Sequence, residues 1–265
     1  MEKAIVVCGD SFNVGIGCRD LKNEPYGALL GKELNKPVIN LAKGSSTNFS
    51  IYLQAKYAVD KLKNKTDLVL VSNTSYDRVN WFPVDYEHKN AEITNTVVNY
   101  HQYPPYGPAS YITLLDNPMK DDPEYTGEMF TENYMGVIDY WENFATKNRE
   151  SGYYGRFKDE PKERTKILYD FAASIHDPRI DRIQCIGVLT MAHQLLKRAG
   201  IRHLMLIDDI KEYSKFMDPT NLVYVSWGEL SNNYPDDIPS LHTSAVGQRV
   251  VFDSVLTKLK ENSWI

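Results

Sequence analysis

The chain has 265 residues, 42% hydrophobic and 25% charged, which is the balance of a globular protein long enough to bury a substantial core. Its net charge of −5 argues against nucleic acid as a partner, because nucleic-acid binding leaves a basic footprint. No run of roughly 18 apolar residues is present, so no membrane-spanning helix is expected, and the amino terminus enters a strand too soon for a signal peptide.

The first element is an apolar strand, Ala4 to Cys8, that runs into Gly9-Asp10-Ser11-Phe12. A serine there stands at the carboxyl end of a first strand, the edge where open α/β sheets bind ligands. Gly9 permits a sharp bend, and Asp10 can brace the turn by accepting from backbone N–H groups. Gly15-Ile16-Gly17 lacks the third glycine of a dinucleotide loop and reads as a flexible turn. A helix is expected near 25–35. A strand near 37–41 follows and ends in the glycine-containing loop Asn40-Leu41-Ala42-Lys43-Gly44-Ser45-Ser46. The next helix, near 48–64, closes on the basic cluster Lys61 to Lys65, suited to a helix carboxyl end. An apolar strand near 67–73 then leads into Ser72-Asn73-Thr74-Ser75. If these strands are parallel, both loops open on the same edge as Ser11. The Gly44 N–H and a side-chain donor at Asn73 or Thr74 can then face an oxygen that gains charge.

Residues 80–160 break the alternation and are rich in proline and tyrosine, as in Tyr103-Pro104-Pro105-Tyr106-Gly107-Pro108 and Tyr153-Tyr154. They read as an aromatic insertion within one domain spanning 1–265. Emerging on that same edge, the insertion serves either as a lid or sugar platform, or simply as an excursion packed onto the domain. Helices near 162–176 and 179–199 are separated by Asp177-Pro178, and Gly200 precedes a strand near 202–207. Asp208-Asp209 ends that strand and either lines the crevice or, as the favoured reading, caps the turn from Ile210 to Phe216, and a further strand is expected near 222–226. A last helix near 246–261 has Ser244 as its N-cap. His242 stands in the loop before it, placed to reach a serine on another strand edge. The alternation predicts a mainly parallel five-stranded sheet covered by helices on both faces, a three-layer α/β/α fold.

The blocks around Ser11, Gly44, Asn73 and His242, with Gly247 five residues after the histidine, occur in an order that resembles the GDSL/SGNH hydrolase family. Pro25 to Leu34 is similar to that family's first helix, and the tyrosine-rich style is similar to its phage-encoded members. The resemblance implies a flavodoxin-like fold and a serine esterase that needs no metal or organic cofactor. Its substrate would be a carboxylic ester, small or carried on a carbohydrate as an O-acetyl group. Ser11 is the implied nucleophile, His242 the general base and Gly44 the oxyanion donor. Two blocks depart. The family's Gly-x-Asn-Asp is Ser72-Asn73-Thr74-Ser75 here, so the asparagine's role falls to Thr74 in strict register or to Asn73 one residue early. The family's acid, three residues before the histidine, is replaced by Pro239. Asp237, or Asp236 beside it, is left to orient the imidazole, with a main-chain carbonyl as the alternative. Two other functions stand beside the esterase: an acyltransferase using the same serine, and a non-catalytic binding or structural protein on a retained hydrolase scaffold.

Other chemistry finds less support. There is no phosphate loop and no Gly-x-Ser-x-Gly elbow. His88, His101, His176, His193 and His203 have no metal-ligand spacing, and His193 and His203 read as structural. Cys8, Cys18 and Cys185 form no Cys-x-x-Cys pair and are odd in number, which fits a reducing, cytoplasmic setting with Cys8 and Cys18 as structural residues.

Overall fold

The computed structural model describes residues 3–44, 46–76, 78–81, 130–133, 178–236 and 242–265. The strands are β1 (Ala4–Cys8), β2 (Val38–Asn40), β3 (Thr66–Ser72), β4 (Arg78–Trp81), β5 (Phe130–Asn133), β6 (Arg202–Ile207) and β7 (Leu222–Tyr224). The α-helices are α1 (Ser11–Val14), α2 (Tyr26–Glu33), α3 (Asn48–Leu62), α4 (Pro178–Arg198), α5 (Ile210–Tyr213), α6 (Trp227–Asn233) and α7 (Ala245–Glu261).

Five of the strands form one sheet in the order β2-β1-β3-β6-β7, every neighbouring pair parallel. Side chains alternate across a strand, so each strand supplies two layers. Val6, Cys8, Val69, Val71, Met205 and Ile207 pack on one face with Ile51 and Ala55 of α3 and Leu189 and Leu196 of α4. Ile5, Val7, Leu68, Leu70, Leu204 and Leu206 pack on the other with Tyr26 and Leu30 of α2, Trp227 of α6 and Val251, Val255 and Leu259 of α7. Strands buried on both faces read as continuous apolar runs, which is why 4–8 and 202–207 are legible in the sequence. The result is a three-layer α/β/α fold. Its strand order is the doubly wound, flavodoxin-like one, whose ligand crevice lies where the chain, having gone to one side of the first strand, returns to the other. That point is the carboxyl end of β1.

The expected strands and the helices α2, α3, α4 and α7 lie within two or three residues of their observed bounds. Pro178 opens α4, where its missing N–H is no loss. The short helices α1 and α6 were not expected, and α5 lies where a turn capped by Asp208-Asp209 was, with Asp209 as its N-cap. The helix expected near 162–176 lies outside the described residues, as does most of the 80–160 insertion. What is described there is an antiparallel ribbon of β4 and β5, pairing Arg78 with Asn133 and Trp81 with Phe130. Among the described residues, no helix is long and apolar enough to cross a membrane.

Candidate active site

Ser11 is the first residue of α1, a single turn built by its own caps. Asp10 is the N-cap: its Oδ1 accepts from the Phe12 N–H at 3.0 Å, and the Asn13 side chain accepts from the Asp10 N–H at 3.1 Å. Gly15 closes the turn at φ 90°. Gly9 is required for space: a Cβ there would lie 2.1 Å from the Asn13 side chain. At position N1 the Ser11 N–H has no carbonyl four residues back to bond, and no acceptor for it is present among the described residues.

His242 Nε2 lies 2.8 Å from Ser11 Oγ, a contact across nearly the whole chain. The histidine loop is held on three sides. The Asp236 N–H donates to His242 O at 3.2 Å, the Ser244 N–H donates to Tyr234 O at 2.8 Å, and Thr243 Oγ1 reaches Leu230 O and Tyr234 O. Behind the imidazole stands Phe12, ring centres 4.7 Å apart, itself stacked on Trp227 at 5.1 Å. Trp227 Nε1 donates to Ser72 Oγ at 2.8 Å, which anchors that wall to β3. From α7, Gln248 Nε2 donates to Phe12 O at 2.9 Å while its Oε1 accepts from the Tyr26 N–H at 3.1 Å, so the last helix grips the first two.

The Gly15-Ile16-Gly17 turn, expected to be flexible, is the floor of this loop. Gly17 has φ 106°, and a Cβ on it would come within 2.5 Å of Thr243 O and 3.1 Å of His242 Cβ. The glycine is there because the histidine loop passes directly over it.

On the other side of Ser11, the Lys43 N–H donates to Gly9 O at 3.3 Å, and Ser46 bonds back to Lys43 O through its N–H and hydroxyl. This folds the loop after β2 over the serine turn. The Gly44 N–H has no acceptor among the described residues. Burial pulls the neighbouring Lys43 ammonium below its ordinary range. Gln54 ties the two loops from α3: its Oε1 accepts from the Gly9 N–H at 2.7 Å, and its Nε2 donates to Gly9 O and Ser46 Oγ.

The third block separates the two expected donors by what each side chain already bonds. Thr74 Oγ1 donates its one hydrogen to Asp10 Oδ2 at 2.6 Å, leaving none for a substrate oxygen. Asn73 Nδ2 donates to Asp208 Oδ1 at 2.7 Å and keeps one further N–H, while its Oδ1 is buried without a partner among the described residues. Burial raises the Asp208 carboxyl, partly offset by that amide. Asn48 clamps the Thr74 main chain by bonding both its N–H and its carbonyl at 3.0 Å. Sequence reasoning missed Arg78, whose Nη1 lies 3.0 Å from Asp10 Oδ2 and donates to Ser46 O at 2.8 Å. Gln54, Asn48 and Gln248 were missed as well, since each acts on a partner far along the chain. Asp237 lies outside the described residues. Among the described residues no cluster of three His, Cys, Asp or Glu side chains could hold a metal ion.

No protein-family model and no curated protein matches the chain. Solved structures similar to it include a protein from Desulfitobacterium hafniense DCB-2 described as lipolytic and of the G-D-S-L family. It is 12% identical over 97% of this chain and 99% of that one, with a TM-score of 0.31. Another is LAE5, an alpha/beta hydrolase from the metagenome of Lake Arreo, Spain, 15% identical over 97% of this chain and 94% of that one, with a TM-score of 0.29. Both scores are low, so the fold assignment rests on the strand order and its connections.

Proposed function

We propose that the chain is a serine ester hydrolase of the GDSL/SGNH kind, acting on a small or carbohydrate-borne carboxylic ester. The observation that carries this reading is the 2.8 Å approach of His242 Nε2 to Ser11 Oγ at the carboxyl end of β1. A serine hydroxyl at neutral pH is a weak nucleophile, and a neighbouring imidazole lone pair activates it. Ser11 Oγ attacks the acyl carbon as His242 takes its proton. His242 then protonates the departing alcohol, water enters on the acyl-enzyme, and the same imidazole serves as base a second time.

The oxygen of the acyl group gains charge in each half of the cycle. The free Ser11 and Gly44 N–H groups receive it, with the remaining Asn73 N–H as a third donor. Donors fixed before the reaction need no reorganisation, and one such bond contributes about 3–4 kcal/mol to transition-state stabilisation. The family resemblance assigns the orienting carboxylate to Asp237, with Asp236 or a main-chain carbonyl as the alternatives. Asp237→Asn is expected to lower kcat on the order of 10⁴-fold, the loss typical when the orienting acid of a triad becomes an amide.

The test of the reading is turnover of a panel of acetyl esters by the parent protein and by Ser11→Ala. Hydrolysis is expected in the parent and its loss in the variant. Equal rates from the two proteins would remove Ser11 from the chemistry.

A further inference from the structure

Asp10 has no exposed surface and stands one residue before the nucleophile. A bare carboxylate at that point opposes an oxyanion forming at the Ser11 N–H, because like charges repel strongly where water is excluded. Arg78 answers that charge, and among the described residues it is the cation paired with Asp10. The same Nη1 also donates to Ser46 O, two residues past Gly44. One guanidinium therefore grips both loops that carry free N–H groups. A guanidinium nitrogen with two hydrogens in a fixed plane suits two acceptors at once, a geometry that lysine does not reproduce. Gln54 also ties these loops, but it is neutral and reaches Gly9 rather than Asp10. The Arg78 side chain is mostly buried, at 16% exposure, so solvent screens the pair weakly.

We propose that Arg78 is a positioning residue of the oxyanion hole, a role that rests on the hydrolase reading above. It neutralises Asp10 and holds the Gly44 loop against the Ser11 turn, so the two N–H groups meet an acyl oxygen with no opposing charge beside them. Arg78 opens β4, so the residue that sets the hole also begins the ribbon leading into the insertion.

The experiment is a double-mutant cycle of Arg78→Gln with Asp10→Asn, read as kcat and KM on a small acetyl ester. Fluorophosphonate labelling of Ser11 is followed in every protein. Arg78→Gln keeps hydrogen-bonding atoms near Ser46 O and removes the charge. It is expected to lower kcat about 100-fold, the scale of a small misplacement at the reacting centre, with KM within about 3-fold. In the Asp10→Asn background the same substitution is expected to lower kcat by less than about 10-fold, because the charge to be neutralised is gone. Guanidinium ions at millimolar concentration are expected to restore part of the turnover of Arg78→Ala and none to Gln54→Ala. Arg78→Gln as active as a labelled, active parent overturns the inference. So does an equal loss in both backgrounds without guanidinium rescue, which is the behaviour of a merely structural arginine. A parent whose Ser11 takes up no probe overturns the hydrolase reading, and this inference with it.

Discussion

Two histidine arrangements stand at opposite ends of the same sheet. At the carboxyl end of β1, His242 Nε2 faces the Ser11 hydroxyl. Near the amino end of β6, His203 bonds His193 of α4 at 2.9 Å, and both rings are buried. The tautomers of that pair follow from its partners. His203 Nδ1 lies 2.8 Å from Ile201 O, and a carbonyl only accepts, so Nδ1 carries the hydrogen. His203 Nε2 must then accept from His193 Nδ1–H, which leaves His193 Nε2 as a bare lone pair without a partner among the described residues. Burial depresses both rings, His203 to about 4. An imidazole becomes a base for catalysis only where a substrate can reach it. The same ring locked in the core becomes a liability in acid.

The largest expected effect breaks the comparison outright. Ser11→Ala and His242→Ala should each lower kcat on the order of 10⁴-fold or more, and the double variant should be little worse, since partners acting as a unit are strongly non-additive. His203→Asn, which keeps a donor for Ile201 O, should leave kcat within about 3-fold and lower the melting temperature instead. Steady-state kinetics beside thermal melts separate the two.

Next in size is Gly17→Ala. Left-handed backbone and the approach of Thr243 O leave no room for a methyl group, so the histidine loop must shift. A fall in kcat of about 100-fold is expected with KM changed far less. A variant that loses binding and turnover in parallel would place the effect elsewhere than the Ser11–His242 contact.

The buried pair predicts a pH dependence of stability. An unfolded histidine titrates near 6.5 and folded His203 near 4, so below 6.5 the unfolded chain binds a proton that the folded one refuses. Stability is therefore whole above pH 6.5 and declines as pH falls toward 4, by on the order of 2 to 3 kcal/mol. Urea titrations across that window should show the slope in the parent and a flatter one in His203→Asn.

The smallest effect concerns Cys18, the neighbour of Gly17. Burial, with Glu24 and Asp20 adding to it, pushes its thiol up to about 12, so like His203 it is silenced by its surroundings. Iodoacetamide at neutral pH should leave Cys18 unmodified in the folded protein and modify it after denaturation, as read by peptide mapping.

Much of the sheet was legible because parallel strands buried on both faces are unbroken apolar runs. Helices of four to seven residues were not, since one or two turns cannot display a 3.6-residue period. Their only signals are caps such as Asp10, Asp209 and Ser226. The Ser11 and His242 pairing was read from their places, a strand's carboxyl end and the loop before the last helix, and from the resemblance of their blocks. The third block shows where such reading stops. Whether Thr74 or Asn73 can donate depends on Asp10 and Asp208, which reach them from other strand ends. The roles of Gly17 and Arg78 were illegible for the same reason, as each is defined by what lies against it in space.

The central claim is that His242 activates Ser11, and the direct measurement is the rate of fluorophosphonate attachment, mapped by mass spectrometry, in the parent and in His242→Ala. A single adduct on Ser11 is expected, forming on the order of 10³-fold more slowly or worse without the imidazole. An adduct on another residue, or an equal rate on Ser11 in both proteins, would contradict the account.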